Sequence, residues 1–246
     1  MYVIIPARYA STRLPGKPLA PVGGKPLVQW VYDRAKASGA KHVVIATDDE
    51  RIRAAAESFG AQVCMTATSH ASGTERIGEV IRTLSIPDDE IVVNLQGDEP
   101  LMPPELIRAV AGRLADDPTV DVSTAACPIT SNEDFLNPNI VKVVCNNHGH
   151  ALLFSRASIP WPRDHLDQVP RNALRHIGIY GYRAGFVAQY LAWPPSLLEQ
   201  TEQLEQLRIL WHGGRIAVAI TDEASAPRVS VDTPADLETI RELLVT

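Results

Sequence analysis

Neither common glycine-rich nucleotide loop is present in this chain: GxxxxGK[ST] does not occur, and GxGxxG does not occur. No apolar run approaches the length needed to cross a membrane. Positive charge is in short supply, with 23 basic against 29 acidic side chains and a net charge of −6. There is no basic tail, so general nucleic-acid binding is not expected. Cysteine is scarce. Cys64, Cys127 and Cys145 are odd in number and lack metal-ligand spacing, which reads as reduced thiols in a cytoplasmic protein. No signal-peptide pattern precedes the first strand, and a cytoplasmic location is the expectation.

Against that acidic background, residues 1–32 carry Arg8, Arg13, Lys17 and Lys25 and no acid. A β-branched apolar run, 2–5, reads as a buried strand leading into this loop. Ser11, Thr12, Gly16, Gly23 and Gly24 lie among the basic residues. Backbone N–H groups of such a loop can cradle phosphate oxygens while Arg and Lys offset their charge. The alternative is a solvated basic loop. The spacing Arg8-x4-Arg13-x2-Pro15-Gly16-Lys17-Pro18 resembles the signature of sugar nucleotidyltransferases, the cytidylyltransferases in particular.

With 246 residues and 45% apolar content, one large domain with a real core is expected. Strands at 43–46, 62–64 and 91–95 alternate with helices at 26–38, 49–59, 74–84 and 103–115. That alternation predicts an α/β fold, a mostly parallel sheet with helices on both faces, and the resemblance just noted implies that it is the Rossmann-like nucleotidyltransferase sheet. Ligands then sit at the carboxyl ends of the strands. From residue 120 the pattern changes, with strands at 120–126, 141–145, 151–155 and 177–182. Residues 130–183 read as an antiparallel extension that covers the site and is a candidate subunit contact, with 161–171 as a loop. Helices at 185–192 and 196–211, a strand at 216–220 and a final helix at 234–244 complete the chain.

Five segments carry candidate chemistry. Gln96-Gly97-Asp98-Glu99-Pro100 follows a buried strand, which places Asp98 where ligands bind. A carboxylate there can hold Mg²⁺ against nucleotide phosphates, because Mg²⁺ takes few carboxylates plus phosphate oxygens. Helix capping does not explain Asp98, which lies too far ahead of Pro103. Ser72-Gly73-Thr74-Glu75-Arg76 opens a helix, either as a plain capping loop or as a surface reading a base edge. Val231-Asp232-Thr233-Pro234 opens the last helix, and Asp232 becomes a second Mg²⁺ ligand if this loop folds back on the sheet. His176 and Tyr180 form one further polar set, and Glu205 with Gln206 another, beside an apolar stripe of Leu204, Leu207 and Leu210.

Taken in order, ARYASTRLPGKPL, SGTER, NLQGDEP, FSRASIPW, RHIGIYGYR, LEQLR and VDTPADL resemble the 3-deoxy-manno-octulosonate (Kdo) cytidylyltransferases over nearly the full chain. RLPGKPL also suits sialic acid activation; LEQLR with GIYGYR points to Kdo. The resemblance implies a Mg²⁺-dependent homodimeric enzyme with CTP and Kdo as substrates. It implies that Arg8, Ser11, Arg13 and Lys17 hold the triphosphate, and that Ser72, Gly73, Arg76 and Gln96 lie near cytosine and ribose. It further implies Lys17, Asp98 and Asp232 as catalytic residues, with both acids on the metal. Arg156, His176, Tyr180, Glu205 and Gln206 are the residues it assigns to Kdo. Rival readings are a cytidylyltransferase for sialic acid or an 8-amino relative of Kdo, a nucleotide sensor lacking metal acids, and a glycosyltransferase, which more often shows Asp-x-Asp.

Overall fold

The computed structural model describes residues 1–10, 13–164, 168–227 and 229–245. The chain opens with β1 (Tyr2–Pro6), whose Val3, Ile4 and Ile5 are fully buried. After the basic loop come a small hairpin, β2 (Pro21–Val22) and β3 (Lys25–Pro26), and helix α1 (Leu27–Ala37). Then β4 (His42–Thr47), α2 (Glu50–Ser58), β5 (Gln62–Met65), α3 (Gly73–Thr83), β6 (Ile91–Asn94) and α4 (Pro104–Asp116) follow in strict alternation. The second half holds β7 (Val122–Pro128), α5 (Asn132–Leu136), β8 (Lys142–Cys145), β9 (Ala151–Ser155) and β10 (Leu174–Arg183). It closes with α6 (Ala184–Ala192), α7 (Leu197–Glu202), α8 (Gln206–Trp211), β11 (Ile216–Ile220) and α9 (Pro234–Val245).

The expected α/β architecture is what forms. The central sheet runs β11-β7-β10-β6-β1-β4-β5, with β1 parallel to β4 and β6, β4 parallel to β5, and β11 parallel to β7. Because successive side chains of a strand point to opposite faces, β1 feeds two cores. Val3 and Ile5 pack in one with Val28 and Val31 of α1 and Ile107 and Val110 of α4. Ile4 packs in the other with Val44, Val92 and Ile77 and Val80 of α3. Each such side chain contributes roughly 1.5–3 kcal/mol by leaving water, so the strand carrying the site loop is held from both sides.

Two departures from the expected layout matter. Within 130–183, the strand β10 lies inside the central sheet, antiparallel to both β6 and β7. Strands β8 and β9 lie off that path, with β8 paired to one end of β10. Ile177, Ile179 and Tyr182 of β10 are buried like residues of any central strand. The register of β10 against β7 shifts between Ile177 and Tyr180, a bulge that re-aims the side chains beyond it.

The second departure is the expected helix at 196–211, which is two helices. Gln203 is left-handed at φ 53° and breaks them. Ser196 and Glu199 form a reciprocal cap at the start of α7. The same Glu199 carboxylate takes Arg208 of α8 in a two-point pair, at 2.6 Å and 2.8 Å. The chain turns at Gln203 so that one acid serves both helices. A non-glycine residue in this conformation costs roughly 1–2 kcal/mol. Gln203→Gly is therefore expected to hold or raise the urea midpoint. Gln203→Val is expected to lower stability by about 1–2 kcal/mol, because a β-branched side chain tolerates positive φ least. Equal midpoints for the two variants would contradict a strained break at this residue.

Candidate active site

The site forms where β1 and β6 end side by side. Gly97 makes this possible, since a Cβ there would lie 2.7 Å from the Pro6 carbonyl oxygen. With only a hydrogen at that position, the turn after β6 lies flat on β1 and delivers Asp98. The basic loop comes back over it through a tight turn. Gly16 sits at φ 71°, its N–H donates to the Tyr9 carbonyl at 3.0 Å, and Leu19 N–H donates to Gly16 O at 2.9 Å. This turn aims Lys17 inward, leaving its side chain 13% exposed.

Lys17 Nζ lies 2.7 Å from Asp98 Oδ2 and 3.4 Å from Asp232 Oδ1. Arg13 reaches Asp232 Oδ1 at 2.9 Å from the solvent side. The loop before α9 does fold back on the sheet, and Val231 N–H donates to the Asp98 carbonyl at 2.9 Å. Asp236 holds the turn by accepting from the N–H groups of Asp232 and Thr233, at 3.0 Å and 2.7 Å. Two carboxylates distant in sequence thus face one cation. Among the described residues no group of three His, Cys, Asp or Glu side chains is placed to hold a metal. Asp98 and Asp232 are the two acids that could hold a metal here, a small set of oxygen donors that suits Mg²⁺.

These groups floor a cleft of about 350 Å³, also lined by Arg8, His70, Ser72, Gly73, Arg76 and Gln96. Ser72 caps α3, its Oγ accepting from Glu75 N–H at 3.2 Å. Arg76 is 3% exposed and already engaged, with Asp48 at 2.8 Å and with Thr66 Oγ1. Its work is to tie α3 to the segments following β4 and β5. His70 is held by the Glu79 carboxylate.

A second cleft of about 330 Å³ adjoins the first and shares Gly73, Gln96 and Glu205 with it. Tyr180, Tyr182 and Tyr190 line it with Asn94, Glu99 and Gln206. Thr74 Oγ1 donates to Glu205 Oε2 at 3.3 Å across the boundary. Loss of water raises the Glu205 carboxyl above its ordinary pKa. Burial, with the charges of Asp98 and Asp232 adding to it, pushes Glu99 up to about 8. Gln206 is buried at the start of α8, and Leu204, Leu207 and Ile209 take the apolar contacts.

The two clefts therefore bring together Arg8, Arg13, Lys17, Ser72, Gly73, Arg76, Gln96, Asp98 and Asp232, and beside them Tyr180, Glu205 and Gln206. Ser11 lies outside the described residues. Two expected residues line neither cleft. Arg156 is spent on carbonyls, its Nε donating to Glu202 O at 2.8 Å and its Nη1 to Pro138 O at 3.1 Å. His176 meets Thr124 Oγ1 at 2.9 Å and the edge of Phe154, and burial pushes it down to about 3, so it stays neutral. Sequence reasoning missed Asn94, Glu99, His70, Tyr182 and Tyr190. Two of these had a readable signal: Tyr182 repeats Tyr180 at strand period two, and Asn94 is the one polar residue in the run Ile91–Asn94.

Comparison with known proteins agrees with this geometry. The cytidylyltransferase family model matches residues 2–216. A 3-deoxy-manno-octulosonate cytidylyltransferase of Vibrio parahaemolyticus is 56% identical, over 98% of this chain and 97% of its own length. One from Aliivibrio fischeri is also 56% identical, over 98% of each chain. The solved structure of a CMP:2-keto-3-deoxy-manno-octonic acid synthetase complexed with CTP superposes with a TM-score of 0.91 at 42% identity, covering 98% of this chain and 97% of that one. A Leptospira borgpetersenii cytidylyltransferase shares the fold, at TM-score 0.63 and 18% identity, over 97% of this chain and 84% of its own. The chain belongs to the 3-deoxy-manno-octulosonate cytidylyltransferase family of nucleotidyltransferases.

Proposed function

We propose that this enzyme transfers CMP from CTP to the anomeric hydroxyl of Kdo, releasing pyrophosphate and supplying CMP-Kdo for lipopolysaccharide synthesis. The observation that carries the reading is the meeting of two clefts, one basic with paired acids and one lined by tyrosines, amides and carboxyls, over Gly73 and Gln96. The C2 hydroxyl oxygen of Kdo bonds to the α-phosphorus of CTP. The bond from that phosphorus to the oxygen bridging to the β-phosphate breaks, and the hydroxyl proton is lost. Such a reaction asks the protein for positioning and charge neutralisation rather than covalent chemistry.

Each residue then has a task. Arg8, Arg13 and Lys17 line the wall of the first cleft and take the triphosphate. Ser72, Gly73 and Gln96 face cytosine and ribose, with α3 locked in place by the pair that buried Arg76 makes with Asp48. Tyr180, Glu205 and Gln206 hold Kdo in the second cleft. Asp98 and Asp232 fit Mg²⁺, since both already turn to one cation position. Held by these two acids, Mg²⁺ would supply positive charge for the α-phosphate. When phosphates arrive, Lys17 and Arg13 have anions to meet in place of the two acids.

We extend the reading to a single domain over 1–246, to a cytoplasmic setting, and to a homodimer joined through residues 130–183. Exposed Leu136, Leu152 and Trp161 in that region support the last point. No helix of the described residues is long and apolar enough to cross a membrane.

Pyrophosphate release, measured for CTP, UTP, ATP and GTP against Kdo, its 8-amino relative and sialic acid, tests the assignment. CTP with Kdo should give the highest kcat/KM, with UTP the nearest competitor. A purine nucleotide used as well as CTP, or a higher kcat/KM with another sugar, would overturn it. Lys17→Ala should lower kcat/KM for CTP roughly a hundredfold, the scale of one lost charge-stabilising donor. Lys25→Ala should stay within about twofold, because Lys25 pairs with Asp33 at 2.7 Å and lies over Trp30 outside both clefts. Equal losses in the two variants would reduce the loop to a diffuse positive surface.

A further inference from the structure

Asn94 ends β6, a strand otherwise made of Ile91, Val92 and Val93. It is 2% exposed. It lies directly opposite Tyr180 of β10 and beside Ile4 of β1 in the sheet register. Tyr180 and Asn94 therefore share one sheet face, and both line the second cleft. The Asn94 Oδ1 atom is buried and has no hydrogen-bond partner among the described residues, a state it shares only with Arg113 Nε. A buried acceptor without a donor is a standing cost and uncommon in native proteins. An apolar residue in its place, as at the neighbouring valines, would avoid that cost.

The neighbours say what kind of group is missing. Tyr180, Tyr182 and Tyr190 bring hydroxyls to the same cleft, Gln206 a further amide and Glu205 a carboxyl, so donors and acceptors are mixed along this wall. A sugar hydroxyl, which both donates and accepts, suits such a wall and can pair with an amide that the protein leaves unpaired.

We infer that Asn94 is a specificity-determining residue of the sugar cleft, its side-chain amide hydrogen-bonding one hydroxyl of the acid sugar. The inference rests on the sugar reading given above and adds a residue to it. A cleft built to bond a hydroxyl rejects an analogue lacking it, because the amide is left unpaired.

The test is steady-state kinetics with Kdo and its singly deoxygenated analogues, at saturating CTP, on the wild-type enzyme, Asn94→Leu and Asn94→Val. In Asn94→Leu the KM for Kdo should rise at least fivefold while the KM for CTP stays within twofold. The melting temperature should hold or rise, because the orphaned acceptor is gone. One deoxy analogue should lose at least fivefold in kcat/KM with the wild type and show no such loss with the variant. A Kdo KM within twofold of wild type in Asn94→Leu overturns the inference, as does an equal penalty for every analogue in both enzymes. If neither variant folds, the wild type alone decides: no deoxy position costing more than twofold overturns it. Absence of wild-type turnover with CTP and Kdo would instead overturn the functional reading, so the two failures are distinguishable.

Discussion

One ammonium between two carboxylates organises this molecule. Lys17 comes from the loop after β1, Asp98 from the turn after β6 and Asp232 from the segment before α9. Two acids this near one another repel at neutral pH, and without a cation between them the segment before α9 has an electrostatic reason to leave the sheet. The Lys17 side chain is mostly shielded from water, which strengthens each attraction relative to an exposed pair. On the proposed reading, the same cluster would meet a polyphosphate through Lys17 and a divalent cation through Asp98 and Asp232.

The rest of the architecture serves to keep that cluster at the ends of the central strands β1 and β6, with a second cleft beside it. Strand β10 runs against its neighbours, and its bulge at 177–180 lets Tyr180 and Tyr182 line the second cleft. Thr124 braces the bulge: its hydroxyl donates to Ile179 O at 2.7 Å and meets His176 Nε2 at 2.9 Å. This gives His176 a structural task. It stays neutral because ionising it at this depth would strand a charge, and it is held by one hydroxyl and one aromatic edge. The break at Gln203 does similar work on the other wall, placing Glu205 ahead of α8 rather than within a long helix.

Much of this was legible in the residues, and the limits have physical causes. Apolar strands followed by Gly-bearing polar turns located Lys17 and Asp98, because burial on both faces leaves an unambiguous signature. Thr233 and the single Pro234 after it marked the start of α9, and so Asp232. Strand direction was not legible: β10 has the same buried pattern whether it lies in the central sheet or in an appendage. The split of 196–211 was hidden because Leu204, Leu207 and Leu210 keep helical spacing right up to the break at Gln203. Arg156 and His176 looked like ligand groups by type, yet local carbonyls and Thr124 claim them. Asn94 was passed over because a lone amide in an apolar run carries no sign of whether its partner is protein or substrate.

The central claim is that Asp98 and Asp232 together form a divalent-cation site completed by nucleotide. Electron paramagnetic resonance of Mn²⁺, titrated into the enzyme with CTP, measures this directly. Wild type should bind Mn²⁺ far more tightly with CTP than CTP does alone. Asp98→Asn and Asp232→Asn should each weaken that binding by about tenfold or more, the effect expected when one of two protein carboxylates is removed from a hard cation. Unchanged Mn²⁺ affinity in either folded variant would contradict the account.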